Sequence, residues 1–418
     1  MGIADLHIHS KYSRATSKDM NIESLSKSAK IKGITLLGTG DFTHPLWMKE
    51  IKEKLSPIGN GFYECNEQKF VLTSEISTIY SQDGKCRRVH HLILMPSIED
   101  AENLNKELSK IGNLKADGRP ILGLSSIKLA EKVFGTCENA LLISAHVWTP
   151  WFSVFGSMSG FDRIEDCYGE FTNRIFAIET GLSSDPAMNW RISALDKYTL
   201  ISNSDCHSAS KIGREANVFS KLDSYTCLYN NLKNKENFSF TLEFYPEEGK
   251  YHFDGHRNCN ICLNPSESIK IGNICPKCKK PLTVGVLHRV CELADRGEGF
   301  VPKNSIPFKK AIPLAEVISG VYNKGVGTKF VLERYNNFIS RFGTEFEILL
   351  NSKIEEINEV DEKIGGIIEK IRTGKMEFLP GYDGVYGVPV FDKNREIKRK
   401  IDKIDEKKDK DKSLKQFF

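Results

Sequence analysis

The stretch YTLISNSDCH, residues 198–207, is the last of six apolar runs that decide the fold of this chain. The other runs are ITLLGTGD (34–41), KFVLTSE (69–75), HHLILMP (90–96), ALLISAH (140–146) and IFAIET (175–180). Polar, helix-like stretches alternate with these runs, which is the pattern of repeated strand–helix units around a parallel sheet. We therefore predict an α/β fold, with one barrel over residues 1–250.

The ends of the predicted strands carry residues that can bind a metal ion or move a proton. These residues are Asp41, Glu75, His146, Glu179, Asp205 and His207. The carboxyl ends of the strands face the active site in (β/α) barrels. Their placement therefore predicts a catalytic rim at one end of the barrel.

Histidines strengthen the prediction of a metal site, because seven of the ten fall within the first 207 residues. His7 and His9 lie two apart, and alternate residues of an extended strand share a face. A lone histidine is commonly a hydrogen-bonded structural residue, but histidines mixed with carboxylates at successive strand ends favour a cluster of two or three Zn, Mn or Fe ions. His90 and His91 are adjacent and must point to opposite faces, and we choose His91 as the ligand.

Length and composition are those of a globular protein with more than one domain. The chain has 418 residues, of which 40% are hydrophobic and 27% charged. No apolar run approaches the roughly 20 residues that span a bilayer. The N-terminus MGIADLHIHS lacks a basic region followed by an apolar core, so we expect a cytoplasmic protein without membrane contact.

Four of the 11 cysteines form two close pairs inside a predicted module at residues 251–285. Cys259 and Cys262 make one pair, and Cys275 and Cys278 make the other. This spacing is typical of a closed, structural zinc site, with a redox role as the weaker alternative. The seven other cysteines have no regular spacing, which fits reduced thiols.

The C-terminal part divides into two sections. Residues 286–391 show helical periodicity, as in VLHRVCELADR, and predict a mainly helical domain. Residues 392–418 form a charged tail with 11 Lys and Arg against 7 Asp and Glu, a surplus equal to the net charge of +4 of the whole chain. Any nucleic-acid surface on the preceding body must therefore be a local patch.

The order of these residues resembles the PHP family (polymerase and histidinol phosphatase). The resemblance implies a distorted (β/α)7 barrel with a trinuclear metal centre that hydrolyses phosphoesters. Carried over, the ligands are His7, His9, Asp41 or His44, Glu75, His91, His146, Asp205 and His207. Phe42 and Thr43 separate Asp41 from His44, a departure from the family pattern that leaves open which of the two binds metal. We expect His44 as the ligand and Asp41 as a neighbour that orients the cluster.

Longer segments resemble the endonuclease Q family almost from end to end. They are GDFTHPLW (40–47), ETGLSSDPAMNWR (179–191), SNSDCHSA (202–209), the four-cysteine module and GVLHRVCELADR (285–296). The resemblance implies a DNA repair endonuclease that cuts single- or double-stranded DNA on the 5′ side of hypoxanthine, uracil, xanthine or an abasic site and leaves a 3′-hydroxyl. It also implies that the helical domain, residues 286–391, contacts DNA.

A metal cluster can perform this hydrolysis without a protein nucleophile, since it lowers the pKa of bound water from about 15.7 to near 7, and Mg²⁺ is expected to support the activity. We expect Asp205 and His207 to complete the cluster as catalytic residues, with Asp41 as a third catalytic residue that orients them. A damaged base must leave the stack to be read. Its contacts are predicted at Trp148, Trp151, Phe152 and Arg214, although aromatic residues in a loop are often only a small core.

The tail ends in an apolar residue followed by an aromatic pair, Leu414, Phe417 and Phe418. This spacing resembles the sliding-clamp (PCNA) interaction motif, with Asp411 at the position usually held by glutamine.

Two other functions of the protein stay open at this point. One is a small-molecule phosphatase of the histidinol phosphatase type, and the other is an inactive barrel that serves as a binding module.

Overall fold

The computed structural model describes residues 2–392, and the clamp-like motif and nearly all of the predicted charged tail lie outside them. The strands of the N-terminal part are β1 (Gly2–Asp5), β2 (Leu36–Gly38), β3 (Ser56–Pro57), β4 (Tyr63–Cys65), β5 (Gln68–Gln82), β6 (Lys85–Met95), β7 (Ile121–Leu122), β8 (Leu141–Ser144), β9 (Ala177–Glu179), β10 (Thr199–Ile201), β11 (Ala216–Phe219) and β12 (Phe238–Glu243). The remaining strands are β13 (Asp254–His256), β14 (Ile261–Leu263), β15 (Phe308–Lys310), β16 (Phe378–Leu379) and β17 (Val388–Pro389).

Twelve α-helices accompany these strands within residues 2–392. They are α1 (Ile22–Lys32), α2 (Pro45–Lys54), α3 (Ile98–Ser109), α4 (Ser126–Thr136), α5 (Ile164–Tyr168), α6 (Pro186–Asn189), α7 (Tyr225–Asn234), α8 (Pro265–Lys270), α9 (Val286–Leu293), α10 (Leu314–Tyr322), α11 (Lys329–Phe342) and α12 (Ile354–Arg372). In this part of the chain no helix has the length and apolar character needed to cross a membrane.

Local sequence sets the helix boundaries. Helix α1 starts after Asn21, whose side chain accepts a hydrogen bond from the Ser24 N–H at 3.0 Å, and it ends at Gly33, where φ is 91°. Helices α3 and α4 start in the same way after Ser97 and Ser125. Each cap satisfies a backbone N–H group that the helix itself leaves without a partner.

One curled sheet forms the barrel, with the strand order β10-β9-β8-β6-β5-β2-β1-β11-β12-β15. The fold class expected from the sequence is confirmed, but the sheet is not purely parallel. Strand β6 runs antiparallel to both β5 and β8. A tight turn at Asp83 and Gly84, both with positive φ, joins β5 directly to β6, so the run HHLILMP lies within a hairpin instead of starting a new strand–helix unit.

Both faces of the central strands are packed. Leu72 and Ile93 belong to one hydrophobic cluster, and their chain neighbours Val71 and Leu92 belong to another. The first cluster also includes residues of α3 and α4, and the second includes residues of α7. Where both faces of a strand pack against these clusters, consecutive side chains are apolar, which explains why the sequence shows continuous runs here.

Side chains close the barrel between β10 and the β1–β11 pair. The Asn203 Oδ1 accepts the Leu6 N–H at 2.8 Å and the Asn217 side-chain amide at 2.9 Å. The Asn217 side chain in turn bonds the backbone of Ser202. This seam fixes the segment after β10, and with it Asp205.

The C-terminal part is joined to the barrel. Strand β15 extends the barrel sheet by pairing in parallel with β12. A buried ion pair between Lys32 Nζ and Glu345 Oε2, 2.5 Å apart, connects α1 with the segment after α11. Strands β13 and β14 form a separate hairpin that carries the cysteine module. The barrel strands β1–β12, the cysteine hairpin and helices α10–α12 follow one another along the chain, while β15 returns to the barrel sheet.

Candidate metal centre

Four side chains from three distant segments meet at the mouth of the barrel. His7 and His9 follow β1, Glu75 lies within β5, and Asp205 follows β10. His9 Nε2 lies 3.0 Å from Asp205 Oδ1 and 3.3 Å from Glu75 Oε2. His7 Nε2 lies 3.6 Å from the same Glu75 oxygen, and within residues 2–392 this buried nitrogen has no hydrogen-bond partner. Imidazole and carboxylate donors converging in this way can hold a transition-metal ion.

A second group shares Glu75 with the first. His90 Nδ1 lies 2.7 Å and His146 Nε2 lies 3.1 Å from Glu75 Oε1. The two imidazole nitrogens are 3.1 Å apart. One oxygen of Glu75 therefore faces each group, which is the arrangement of a carboxylate able to bridge two ions.

The choice of His91 over His90 is wrong. His91 is buried on the opposite face of β6, where its Nδ1 lies 2.8 Å from the Tyr168 hydroxyl and its Nε2 lies 3.1 Å from Thr78 Oγ1. The register of the hairpin explains the placement. His90 pairs with Ser77, two residues from Glu75 and on the same face, whereas His91 pairs with Ile76 in the core.

Backbone conformation at the mouth is unusual. Asp41, His146 and Asp205 have positive φ values of 47°, 29° and 45°. Few residues other than glycine adopt this conformation, and it costs free energy that the surrounding structure must supply. At all three positions the chain leaves a strand, and the turn aims the side chain at the cluster or its immediate surroundings.

Two further carboxylates orient the histidines. Glu179 accepts from His7 Nδ1 at 3.0 Å and from the His146 backbone N–H at 2.8 Å. Asp41 accepts from His9 Nδ1 at 3.1 Å. Asp41 also accepts hydrogen bonds from Ser10 and Ser13, which saturates its second oxygen. Such partners fix the tautomer of a ligating histidine and turn its other nitrogen toward the metal position.

The electrostatic field at the site favours positive charge. Burial by itself lowers the pKa of His7, but the negative charges of Glu179 and Glu75 outweigh it and raise that pKa well above 6.5. Burial likewise lowers the pKa of His9, and Asp41 is the largest opposing charge that raises it. The same field would stabilise divalent cations.

His44 and His207 lie outside both groups. The His44 ring stacks on Tyr12 with centroids 4.4 Å apart, so its predicted role as a ligand is not supported by its position. Phe42 and Thr43 carry the chain away from the cluster, and Asp41 takes the place beside His9 instead. The His207 ring lies 4.5 Å from that of His9, and its side chain is 32% exposed at the edge of the site.

The aromatic residues predicted to contact DNA fall in different environments. Trp148 is buried and donates from Nε1 to Asn189 Oδ1 at 2.8 Å, so it belongs to the core and its prediction as a DNA contact is wrong. Trp151 is 38% exposed and lines a groove of about 960 Å³ between the barrel and the end of the cysteine module. The Phe152 ring lies 4.7 Å from the ring of His90. Arg214 donates to the backbone oxygens of Ser204 and Asp205, so it supports the loop of the cluster.

Three of the four predicted zinc ligands in the cysteine module lie close together. Ligand atoms of His256, Cys259, Cys275 and Cys278 all lie within 4.8 Å of one another. Burial raises the pKa of Cys275, but backbone N–H groups outweigh it and lower the pKa to about 6, which favours a thiolate donor. Cys262 is placed elsewhere, with its Sγ 3.9 Å from the Pro380 carbonyl oxygen.

Hairpin register explains why His256 stands where Cys262 was expected. His256 pairs with Ile261, and Gly255 pairs with Cys262, so the side chains of His256 and Cys262 lie on opposite faces. The spacing of cysteines alone does not reveal this. His256 and Arg119, whose Nη1 donates to Glu75 at 3.0 Å, are the two site residues that the sequence gave no reason to select.

Comparisons with known proteins cover nearly the whole chain. The family model of the MJ0043 C-terminal domain matches residues 313–375. The chain is 35% identical to MJ0043 of Methanocaldococcus jannaschii over 264 residues, which is 61% of this chain but only 32% of that protein. It is 30% identical to YqxK of Bacillus subtilis over 408 residues, with 92% of this chain and 98% of that protein covered.

Two solved structures have the same fold over almost the full length. The lesion-specific endonuclease PfuEndoQ from Pyrococcus furiosus matches with a TM-score of 0.84 and 32% identity, covering 93% of this chain and 94% of its own. An endonuclease Q in complex with a 27-mer duplex substrate that has an abasic lesion at the active site matches with a TM-score of 0.83 and 33% identity, covering 93% and 96%.

Proposed function

This chain belongs to the endonuclease Q family, and on that basis we propose that it is a metal-dependent endonuclease of DNA repair. The observation that carries the proposal is the match over 93% of the chain to an endonuclease Q bound to duplex DNA with an abasic lesion. The barrel, the cysteine module and the helical region all take part in that match. A phosphatase of the histidinol phosphatase type needs only the barrel, so it accounts for less of the chain.

The residues at the barrel mouth fit the metals that this activity requires. His7, His9, Glu75 and Asp205 would hold one ion, and Glu75, His90 and His146 would hold a second. These ions would lower the pKa of a bound water and neutralise charge on the phosphodiester and its leaving oxygen. The proposed catalytic residues are Asp205 and His207, and His207 lies beside Asp205 at the mouth of the site.

The role of the protein is to keep each donor aimed. Because His7 Nδ1 is bound to Glu179 and His9 Nδ1 is bound to Asp41, the Nε2 atoms of both rings face the cluster. Thr149 Oγ1 lies 3.1 Å from His146 Nδ1, and this contact turns the Nε2 atom of His146 toward Glu75. Asp41 acts through His9 in this arrangement, as a positioning residue.

For the cysteine module we propose a structural zinc ion held by His256, Cys259, Cys275 and Cys278, because a closed set of one imidazole and three thiolates has no open position for chemistry. The groove beside it is the proposed path of DNA, with Trp151 as a stacking surface and Phe152 between the groove and the cluster. Hypoxanthine, uracil, xanthine and abasic sites are the proposed lesions, in single- or double-stranded DNA. Action on chromosomal DNA would take place in the cytoplasm.

The test is to incubate the purified protein and Mg²⁺ or Mn²⁺ with end-labelled duplexes, each with one of these lesions, and with an undamaged duplex. We expect one nick on the 5′ side of the lesion, with a 3′-hydroxyl that a DNA polymerase extends. Asp205→Asn is expected to abolish cleavage and to keep most of the DNA affinity, since phosphate contacts elsewhere remain. Equal cutting of undamaged DNA, or hydrolysis of histidinol phosphate with no cutting of DNA, would reject the proposal.

We also propose that the tail binds a sliding clamp through Leu414, Phe417 and Phe418, which lie outside the described residues. Support comes from the spacing of these three residues, and a tether to a clamp would raise the local concentration of the enzyme on DNA. Deletion of residues 413–418 is expected to remove clamp binding and to leave nicking without the clamp unchanged. Undiminished clamp binding by the truncated protein would disprove the motif.

A further inference from the structure

Arg119 reaches into the metal centre from a loop that precedes β7. Its Nη1 donates to Glu75 Oε2 at 3.0 Å, the same oxygen that faces His7 and His9. The Arg119 side chain is 26% exposed, so the guanidinium touches the cluster and still faces solvent at the mouth. Among residues 2–392, the Glu75 carboxylate is the one group that accepts a hydrogen bond from the guanidinium. The other N–H groups of the planar fork are therefore available to a ligand.

The loop holds this arginine rigidly on one side through Gly118. The Gly118 N–H donates to the Tyr12 carbonyl at 3.0 Å, and the Gly118 carbonyl accepts from Thr43 Oγ1 at 3.3 Å. A Cβ atom at Gly118 would lie 2.3 Å from Asp41 Oδ2, so the backbone passes directly over the Asp41 carboxylate that orients His9. Only glycine permits this approach.

The other side of the loop is fixed as well. The Pro120 carbonyl accepts from the Ser77 N–H at 3.0 Å, which joins the loop to β5 two residues beyond Glu75. The Asp117 side chain accepts from the Arg119 N–H at 3.0 Å. Arg119 is thus placed before any substrate arrives, which reduces the entropy lost on binding.

The charge balance of the metal centre explains why Arg119 would attract an anion. Two divalent cations together with Arg119 would exceed the negative charge of Glu75, Asp205, Asp41 and Glu179 by one, because the histidine ligands are neutral when they bind metal. A permanent cation beside metal ions is unfavourable unless an anion joins it. A phosphodiester supplies one negative charge at this point.

We propose that Arg119 is a further catalytic residue that donates hydrogen bonds to a non-bridging oxygen of the phosphodiester being cut. The inference rests on the proposed nuclease function and names a contact of that same site. A guanidinium suits the contact because its fork matches phosphate geometry and its charge-assisted hydrogen bonds are strong. The competing role is a positioning residue that only holds Glu75.

The experiment compares Arg119→Gln and Arg119→Lys with the wild-type holoenzyme. Lys52→Gln is the control for loss of a surface charge, because the Lys52 side chain is 49% exposed and pairs with Glu102, and neither residue lines the groove. Single-turnover nicking of an abasic duplex gives the half-saturating enzyme concentration. Competition by the same duplex with an uncleavable methylphosphonate at the cut linkage gives the affinity when the charged oxygen is missing. Metal content and thermal midpoint are measured on each variant.

Arg119→Gln is expected to raise the half-saturating concentration by about 10-fold or more and to leave the affinity for the methylphosphonate duplex within about twofold of wild type. Arg119→Lys keeps a charge at Glu75, so it is expected to retain metal and to show a smaller effect in the same direction. Equal losses on both duplexes, no loss on either, or loss of metal with an unchanged half-saturating concentration in both variants would overturn the proposal. Absence of nicking by the wild-type enzyme would instead overturn the proposed function, and this inference with it.

Discussion

Two neighbouring histidines offer a sharp test of the site, because they face opposite sides of one strand. His91 is fully buried and bonds the Tyr168 hydroxyl at 2.8 Å and Thr78 Oγ1 at 3.1 Å. Replacing His91 by alanine leaves a cavity and a buried tyrosine hydroxyl without its partner. Each effect costs about 1–3 kcal/mol, so we expect the free energy of unfolding to fall by about 2–6 kcal/mol with the barrel metal retained.

His90→Ala is expected to lose barrel metal with only a small loss of stability. Burial lowers the pKa of His90 to about 4, so the imidazole is neutral at pH 7 and its contact with Glu75, at 2.7 Å, is one hydrogen bond. Losing it costs about 1–2 kcal/mol in the metal-free protein, because Glu75 keeps His146 and Arg119 as partners. The loss of a ligand is nevertheless expected to remove one metal equivalent and most of the nicking activity.

The assay is urea unfolding of the metal-free proteins together with metal analysis of the proteins as purified. His91→Ala should show the larger loss of stability with its barrel metal retained, and His90→Ala the smaller loss of stability with one metal equivalent missing. If His91→Ala loses barrel metal at normal stability, or if His90→Ala keeps its full metal content and activity, the placement of β6 against β5 is wrong.

Three further predictions use other parts of the chain. Trp151→Ala is expected to weaken binding to lesion DNA in a gel-shift assay at unchanged stability, whereas Trp148→Phe lowers the thermal midpoint through its lost hydrogen bond and leaves DNA affinity unchanged. Burial raises the pKa of Glu243 to about 8, so the folded state loses stability, by about 1 kcal/mol per pH unit, as pH rises from its unfolded value of 4.5 to about 8. Glu243→Gln should therefore be more stable than wild type at pH 8 and similar at pH 4.5 in thermal melts. His256→Ala is expected to release the module's zinc to a chromogenic chelator faster than Cys262→Ser does, and the opposite order would restore Cys262 as the ligand.

Much of the site was predictable from the sequence, because its elements are local. The apolar runs identify strands, since consecutive apolar residues are expected where both faces of a strand are packed. The ends of the apolar runs identify Glu75, His146 and Asp205, although β5 itself continues past Glu75 to Gln82. A period of two places His7 and His9 on one face. The module order follows from composition in the same way.

Contacts between distant segments could be identified only from the tertiary structure. The sequence shows that only one of His90 and His91 can enter the site, but the pairing of His90 with Ser77 decides which one. The same holds for His256 and Cys262, whose faces depend on the β13–β14 register. Arg119 enters the site because its loop is bonded to β5 at Ser77. A strand carries the period of its side chains in its own sequence, but which face meets the site depends on hydrogen bonds to a partner strand, and those bonds form only when the chain folds.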